Sequence, residues 1–175
     1  SVYREGEQER RNGITPIEEQ FDGVFSNFGP MNCLSEWRTV AGWLAERVKT
    51  GGIVGFGVMS PLCVWEPLWH GLHGDIKVAT RRWRHGVTFQ PEGIEQPITV
   101  IYPTIGRITR EFEPYFRRVY VRGLGVFLPP SDVYGVIEKR PRLLKVLMGL
   151  ERRWGAYSKL ALLADHYWVE FEKVG

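Results

Sequence analysis

Hydrophobic positions in this chain follow two rhythms, one of short unbroken runs and one of threes and fours. Phe21-Asp22-Gly23-Val24-Phe25 is a short apolar run closed by Asn27, Gly29 and Pro30, which predicts a buried strand over 21–26 ending in a turn. After Ser35, a suitable N-cap, Trp37, Val40, Ala41, Leu44, Ala45 and Val48 recur at spacings of three and four and form one stripe of an amphipathic helix. Lys49 in its last turn suits the negative end of the helix dipole, and Gly51-Gly52 offers the left-handed residue that ends it. Ile53 to Met59 is then apolar without alternation, the pattern of a strand covered on both faces. Strand, helix and all-apolar strand in succession predict a parallel pair.

Farther along, the Trp-, His- and Arg-rich stretch 62–85 predicts a helix within Pro67 to Arg84. Val87 to Phe89 and Ile98 to Ile101 flank Pro91-Glu92-Gly93, which predicts a hairpin. Thr104 can cap a helix carrying Ile105, Ile108 and Phe112 on one face, and Pro114 forces Glu113 toward extended geometry and ends it. A strand over Val119 to Leu128, interrupted by Gly123 and Gly125, stops at Pro129-Pro130. Pro141 suits a first helical position, and Leu144, Leu147, Met148 and Trp154 predict a long last helix. Tyr167, Val169 and Phe171 alternate with Trp168, Glu170 and Glu172, as in a half-exposed closing strand paired antiparallel. No internal repeat is visible.

Composition narrows the class. The 175 residues are 43% hydrophobic and 25% charged, which excludes a disordered chain. Residues 1–13, with three arginines and three glutamates, are too polar to order themselves, so 1–16 reads as a tail or loop and 17–175 as one domain. Cys33 and Cys63 are the only cysteines and stand apart from any Cys/His cluster, which favours reduced thiols of a cytoplasmic protein over a disulfide framework or a zinc site. The longest apolar stretches fall far short of the roughly 20 residues a membrane helix needs, so no membrane partner is expected. A net charge of +3, with 20 acidic residues spread along the chain, argues against nucleic acid as the main partner.

The run Phe21-Asp22-Gly23-Val24-Phe25-Ser26-Asn27-Phe28-Gly29-Pro30-Met31-Asn32-Cys33 resembles the fourth strand, and the loop after it, of class I S-adenosylmethionine-dependent methyltransferases. Leu44 to Gly52 is similar to the segment that leads into that family's fifth strand, with Thr50 where proline is usual. Met59 to Glu66 (MSPLCVWE) and Ala79-Thr80-Arg81-Arg82 are also similar to a small-molecule-type subgroup. The strands near Val119 and Trp168 would be the sixth and seventh. The resemblance covers about 17–175 and implies an α/β, Rossmann-like class I methyltransferase sheet that is partial, with strands four to seven and flanking helices. The Gly-rich turn of the first strand and the acidic residue ending the second have no counterpart here: Gly55/Gly57 and Gly123/Gly125 lie inside predicted strands and open no helix. The fourth strand would then form a raw edge, which invites a homodimer or a complementing N-terminal chain.

By the same resemblance the cofactor is S-adenosyl-L-methionine and the partner a small-molecule methyl acceptor. Ligands of open α/β sheets sit at the carboxyl ends of strands, so Ser26, Asn27, Phe28 and Gly29 are expected to contact the methionine part of the cofactor. The bland alternative is a strand-end turn chosen for backbone geometry. Asn32, Met59, Trp65 and Arg82 are the expected acceptor contacts. Glu66 and His70, four apart on one helix face, are candidates for a general base, against the alternative of a polar edge on a packed helix. Arg81, Arg82, Arg84 and His85 around Trp83 could grip a carboxylate or phosphate, bind RNA, or form a solvated face. Cys33 has no adjacent Lys or His to activate it. His166 beside Asp165 reads as a structural hydrogen bond. A non-catalytic half-domain that pairs with another chain stands as the second reading of the whole.

Overall fold

The computed structural model describes residues 20–27, 29–84, 86–90, 93 and 96–175. The expected tail, Phe28, His85 and the Pro91-Glu92 turn lie outside them.

Four strands make the main sheet: β1 (Phe21–Ser26), β2 (Val48–Met59), β5 (Phe116–Leu124) and β6 (His166–Lys173), in the spatial order β1-β2-β6-β5. β1 and β2 are parallel, with Ser26 opposite Phe56, as the strand-helix-strand pattern requires. β6 is antiparallel to both β2 and β5, so it is the one reversed strand and β5 runs with the first two. The hairpin forms as read, with β3 (Val87–Phe89) and β4 (Ile98–Val100) antiparallel.

The helices are α1 (Trp37–Arg47), α2 (Trp65–Leu72), α3 (Ile76–Ala79), α4 (Ile105–Phe112), α5 (Ser131–Ile137) and α6 (Pro141–Leu150). The core lies between one face of the sheet and helices α1 and α4. Val54, Phe56 and Val58 of β2 and Tyr167, Val169 and Phe171 of β6 meet Trp37, Ala41, Leu44, Ile108 and Phe112 there. Phe112 and Phe171 stack with ring centroids 4.8 Å apart, and Phe56 and Phe116 tilt against Phe112. Each such side chain taken out of water contributes roughly 1.5–3 kcal/mol before entropy.

The absence of alternation in β2 has a local cause. Its outward positions include Gly55, and a Cβ there would lie 2.6 Å from the Trp168 ring. Glycine lets a tryptophan from the neighbouring strand cover that spot, so from Val54 to Val58 the strand is buried on both faces, as its unbroken apolar run predicts, with Gly55 covered by its neighbour's side chain.

Several boundaries differ from the sequence reading. α1 ends at Arg47 and β2 starts at once, with Lys49 to Gly52 bulging opposite Asp22. Val48 fits the helix stripe but is fully buried as a strand residue, and Gly51, at φ +80°, serves the bulge instead of a helix end. Glu36, not Ser35, precedes the helix and no side chain caps it. The start is pinned instead by Trp37 Nε1 donating to the Met31 carbonyl at 2.9 Å. The helix expected within Pro67 to Arg84 is broken at Gly74 (φ +79°) into α2, α3 and a short 3-10 turn, Arg81–Trp83. β5 begins earlier than read, at Phe116, because Arg117 and Arg118 disguise its outward positions, and it ends at Leu124. There the Glu151 carboxylate accepts from the N–H groups of Gly125 and Phe127, which ties the chain after β5 to the π turn Glu151–Gly155 that follows α6.

Candidate functional site

The carboxyl ends of β1 and β2 lie side by side, and the chain leaving β1 keeps bonding to β2. Gly29 N–H donates to the Gly57 carbonyl at 3.1 Å, and Gly29 adopts φ +81°, a conformation natural to glycine. A Cβ on it would sit 3.3–3.5 Å from Asn32 Oδ1 and from Met59 Cγ and Sδ. Asn32 is fully buried and works like an extra rung of the sheet. Met59 N–H donates to its Oδ1 at 2.8 Å, and its Nδ2 donates to the carbonyls of Met59 (3.2 Å) and Ile101 (2.8 Å). Its own carbonyl accepts from Ile101 N–H at 2.7 Å. The loop after β1, the end of β2 and the segment after β4 are thereby fixed together.

Beyond β2 the chain enters a buried ion-pair network. Glu66, in the first turn of α2, places its two oxygens against the guanidinium groups of Arg81 and Arg82. Arg82 also donates to the carbonyls of Ser60 (3.1 Å) and Asp165 (2.9 Å) and to Asp165 Oδ1 at 2.6 Å. Asp165 in turn meets His166 Nδ1 at 3.0 Å, the structural bond expected for that pair. Burial alone would raise the Asp165 carboxyl, but the hydrogen bonds and charges of His166 and Arg82 outweigh it and hold it at about 2. Desolvation works against the Arg82 cation, but the charges of Asp165 and Glu66 and the hydrogen bond to Asp165 outweigh it and push its pKa up. Burial pushes the Cys63 thiol up to about 11. Among the described residues no three His, Cys, Asp or Glu side chains converge as a metal site.

A cleft of about 330 Å³ opens beside this network, lined by Pro61, Leu62, Arg82, Trp83, Arg84, Ile101, Tyr102 and Arg107. It adjoins the strand-end loop through Ile101, the residue Asn32 holds. Of the residues singled out from sequence, Gly29, Asn32 and Met59 are in one cluster, with Ser26 and the exposed Asn27 just before them. Glu66 and Arg82 form a second cluster on the cleft wall. Trp65 is half-buried at the start of α2. His70 does not line the cleft; its Nε2 faces Asp132 Oδ2 of α5 at 3.3 Å. Cys33 is exposed and Cys63 buried, both as free thiols. Sequence reasoning passed over Tyr102, Arg107 and the link from Arg82 to Asp165, because no local pattern connects segments so far apart in the chain.

No family model matches the chain, and no curated protein matches it. Solved structures do. An assigned S-adenosylmethionine-dependent methyltransferase from Listeria monocytogenes superposes with a TM-score of 0.54 at 11% identity, over 93% of this chain and 66% of its own. Methyltransferases of the same cofactor from Clostridium acetobutylicum (TM-score 0.49, 8% identity, 99% and 71% covered) and Mesorhizobium loti (0.45, 11%, 89% and 62%) are also similar. The chain thus spans just under two thirds of the Listeria protein's length. With β1, β2, β5 and β6 as the fourth to seventh strands, the observed order is four, five, seven, six, and the chain has the Rossmann-like class I methyltransferase fold over that part of the sheet.

Proposed function

We propose that this chain is the acceptor-side part of an S-adenosylmethionine-dependent methyltransferase that modifies a small molecule in the cytoplasm. The observation that supports this most is the position of Ser26, Asn27 and Gly29 at the carboxyl edge of a parallel strand pair, beside a cleft whose wall follows directly from β2. The residues suit one end of the cofactor. Gly29 brings bare backbone to the strand end, and Ser26 and Asn27 are not buried, so they can reach the methionine portion of a ligand. The elements that would hold the nucleotide end have no counterpart among these 175 residues, so that end of the site would be completed from outside them.

When bound, the cofactor supplies a methyl group on a positively charged sulfur, open to in-line displacement. This chain's own contribution is then to orient and to exclude water. Asn32 and Met59 fix the floor of the strand end, and Trp65 and the cleft residues bound the acceptor. Glu66, with both oxygens facing arginines and its side chain 2% exposed, acts as a counter-ion and not as the base. His70 turns its Nε2 toward Asp132 and does not line the cleft, so it is not placed to serve an acceptor bound there. Arg82 positions the wall from within, since its donors are spent on Glu66, Ser60 and Asp165. That inward turn also weakens the RNA reading of the arginine cluster.

A second reading, a non-catalytic module that pairs with another chain, is favoured by the exposed edge of β1, where Phe21 is 42% and Phe25 78% exposed. Calorimetric titration of S-adenosylhomocysteine into the purified chain separates the two. Micromolar binding that Gly29→Ala weakens supports the methyltransferase reading, because a side chain at φ +81° costs roughly 1–2 kcal/mol and shifts the loop. No binding by monomer or associated chain overturns it in favour of the module, whose own mark is association in light scattering.

A further inference from the structure

Three arginines line the 330 Å³ cleft, and they are not equivalent. Arg82 is neutralised from behind by Glu66 and Asp165. Arg84 and Arg107 are exposed and have no carboxylate partner among the described residues, and no Asp or Glu lines the cleft. Among the described residues, two positive charges on the cleft have no carboxylate against them, one following the Arg81–Trp83 turn and one from α4.

Arg107 is placed against the preference of its helix. It lies in the first turn of α4, where Thr104 Oγ1 caps its N–H at 3.2 Å and where the positive end of the helix dipole repels a cation. Its guanidinium is steadied over the Trp37 ring at 4.9 Å from the centroid. An anion in the cleft can meet both guanidinium groups, Arg107 from the positive end of α4 and Arg84 from the segment after the Arg81–Trp83 turn.

The remaining walls describe that anion's shape. Trp83, 58% exposed, offers a flat ring, and Tyr102, a phenol whose pKa burial pushes up, offers a hydrogen-bond donor. The volume is at the small end for ligand pockets and suits a molecule of one ring. We infer that the cleft binds a small planar carboxylate, gripped by Arg84 and Arg107 and stacked on Trp83. The inference rests on the methyltransferase reading only in naming this occupant as the methyl acceptor.

The probe is 4-hydroxybenzoate, titrated calorimetrically into the full chain beside its neutral counterpart 4-hydroxybenzamide. The carboxylate should bind at least about tenfold more tightly than the amide, and Arg84→Gln and Arg107→Gln should each weaken it by about tenfold or more. Lys145→Gln, the same charge change on α6, serves as the control and should leave binding unaltered. Arg84 is exposed, so its variant keeps the fold, and circular dichroism verifies this for Arg107. Equal binding of carboxylate and amide, absence of carboxylate binding in the millimolar range, or indifference to both arginine changes overturns the inference. S-adenosylhomocysteine titrated into the same samples separates the two claims. Arginine-dependent carboxylate binding without cofactor binding removes the methyltransferase reading and keeps the anion site, and the reverse result does the opposite.

Discussion

Asn32 and Met59 exchange hydrogen bonds in both directions, the side-chain amide of one pairing with the backbone of the other at 2.8 and 3.2 Å. A primary amide has the same donor and acceptor geometry as a peptide, so Asn32 prolongs the β1–β2 ladder past the point where the backbone of β1 has turned away. Asn32→Ala would leave the Met59 amide and the Ile101 carbonyl without these partners in a buried place. The expected cost is about 2–3 kcal/mol, read as a lower urea midpoint, with the cleft residues less protected in amide exchange. An unchanged midpoint would show that the rung is ornamental.

Arg82 should behave as the centre of a coupled unit. Arg82→Met removes the cation between the buried Glu66 and the half-buried Asp165 carboxylates and is expected to cost roughly 3 kcal/mol. Glu66→Gln combined with it should cost less than the two changes added, because the second change relieves the charge stranded by the first. Strict additivity in denaturant melts would contradict the network.

The acid limb of stability should depend on Asp165. Its folded value of about 2 lies below the ordinary 3.8, so folding favours the ionised form. The stabilisation is complete above about pH 4 and fades as pH falls toward 2, amounting to roughly 2 kcal/mol. Asp165→Asn should flatten the stability-versus-pH curve in that window. Asp22 is also held low, by Lys49, but that pair is on the open surface and salt should erase its share.

The two cysteines should separate cleanly under alkylation. At pH 8 iodoacetamide should label Cys33, which is exposed, and spare Cys63, whose thiol is buried and pushed up to about 11. Mass spectrometry of the intact and digested protein reads this directly. Rapid labelling of Cys63 in the native state would mean that the wall carrying Asp165 and Arg82 opens.

What the sequence disclosed follows from the range of the forces involved. The α1 stripe, the capped helix after Thr104 and the alternation of Tyr167, Val169 and Phe171 are local patterns, and each is found where the periodicity put it. Val48 misled because one apolar residue satisfies a helix stripe and a strand interior equally well. Arg82 misled in the other direction. A dense basic cluster is usually solvated, yet this residue is 6% exposed, and its partners Glu66 and Asp165 are 16 and 83 positions away. Arg107 gave no signal at all, since its meaning depends on which segments face it across the cleft.

The placement of β6 has a consequence for how the molecule is made. Among the described residues this strand follows the other strands in sequence, yet it is the only neighbour of β5 and the second neighbour of β2. While a ribosome is still adding residues before 166, β1 and β2 can pair with α1 against them, but β5 has nothing to bond to and Phe56 lacks the Phe171 ring that completes its cover. Until β6 has been made, the apolar edges of β2 and β5 that it joins lie open, and the seam closes when this strand takes its place between them. That interval, more than the finished fold, is where this protein would depend on a chaperone.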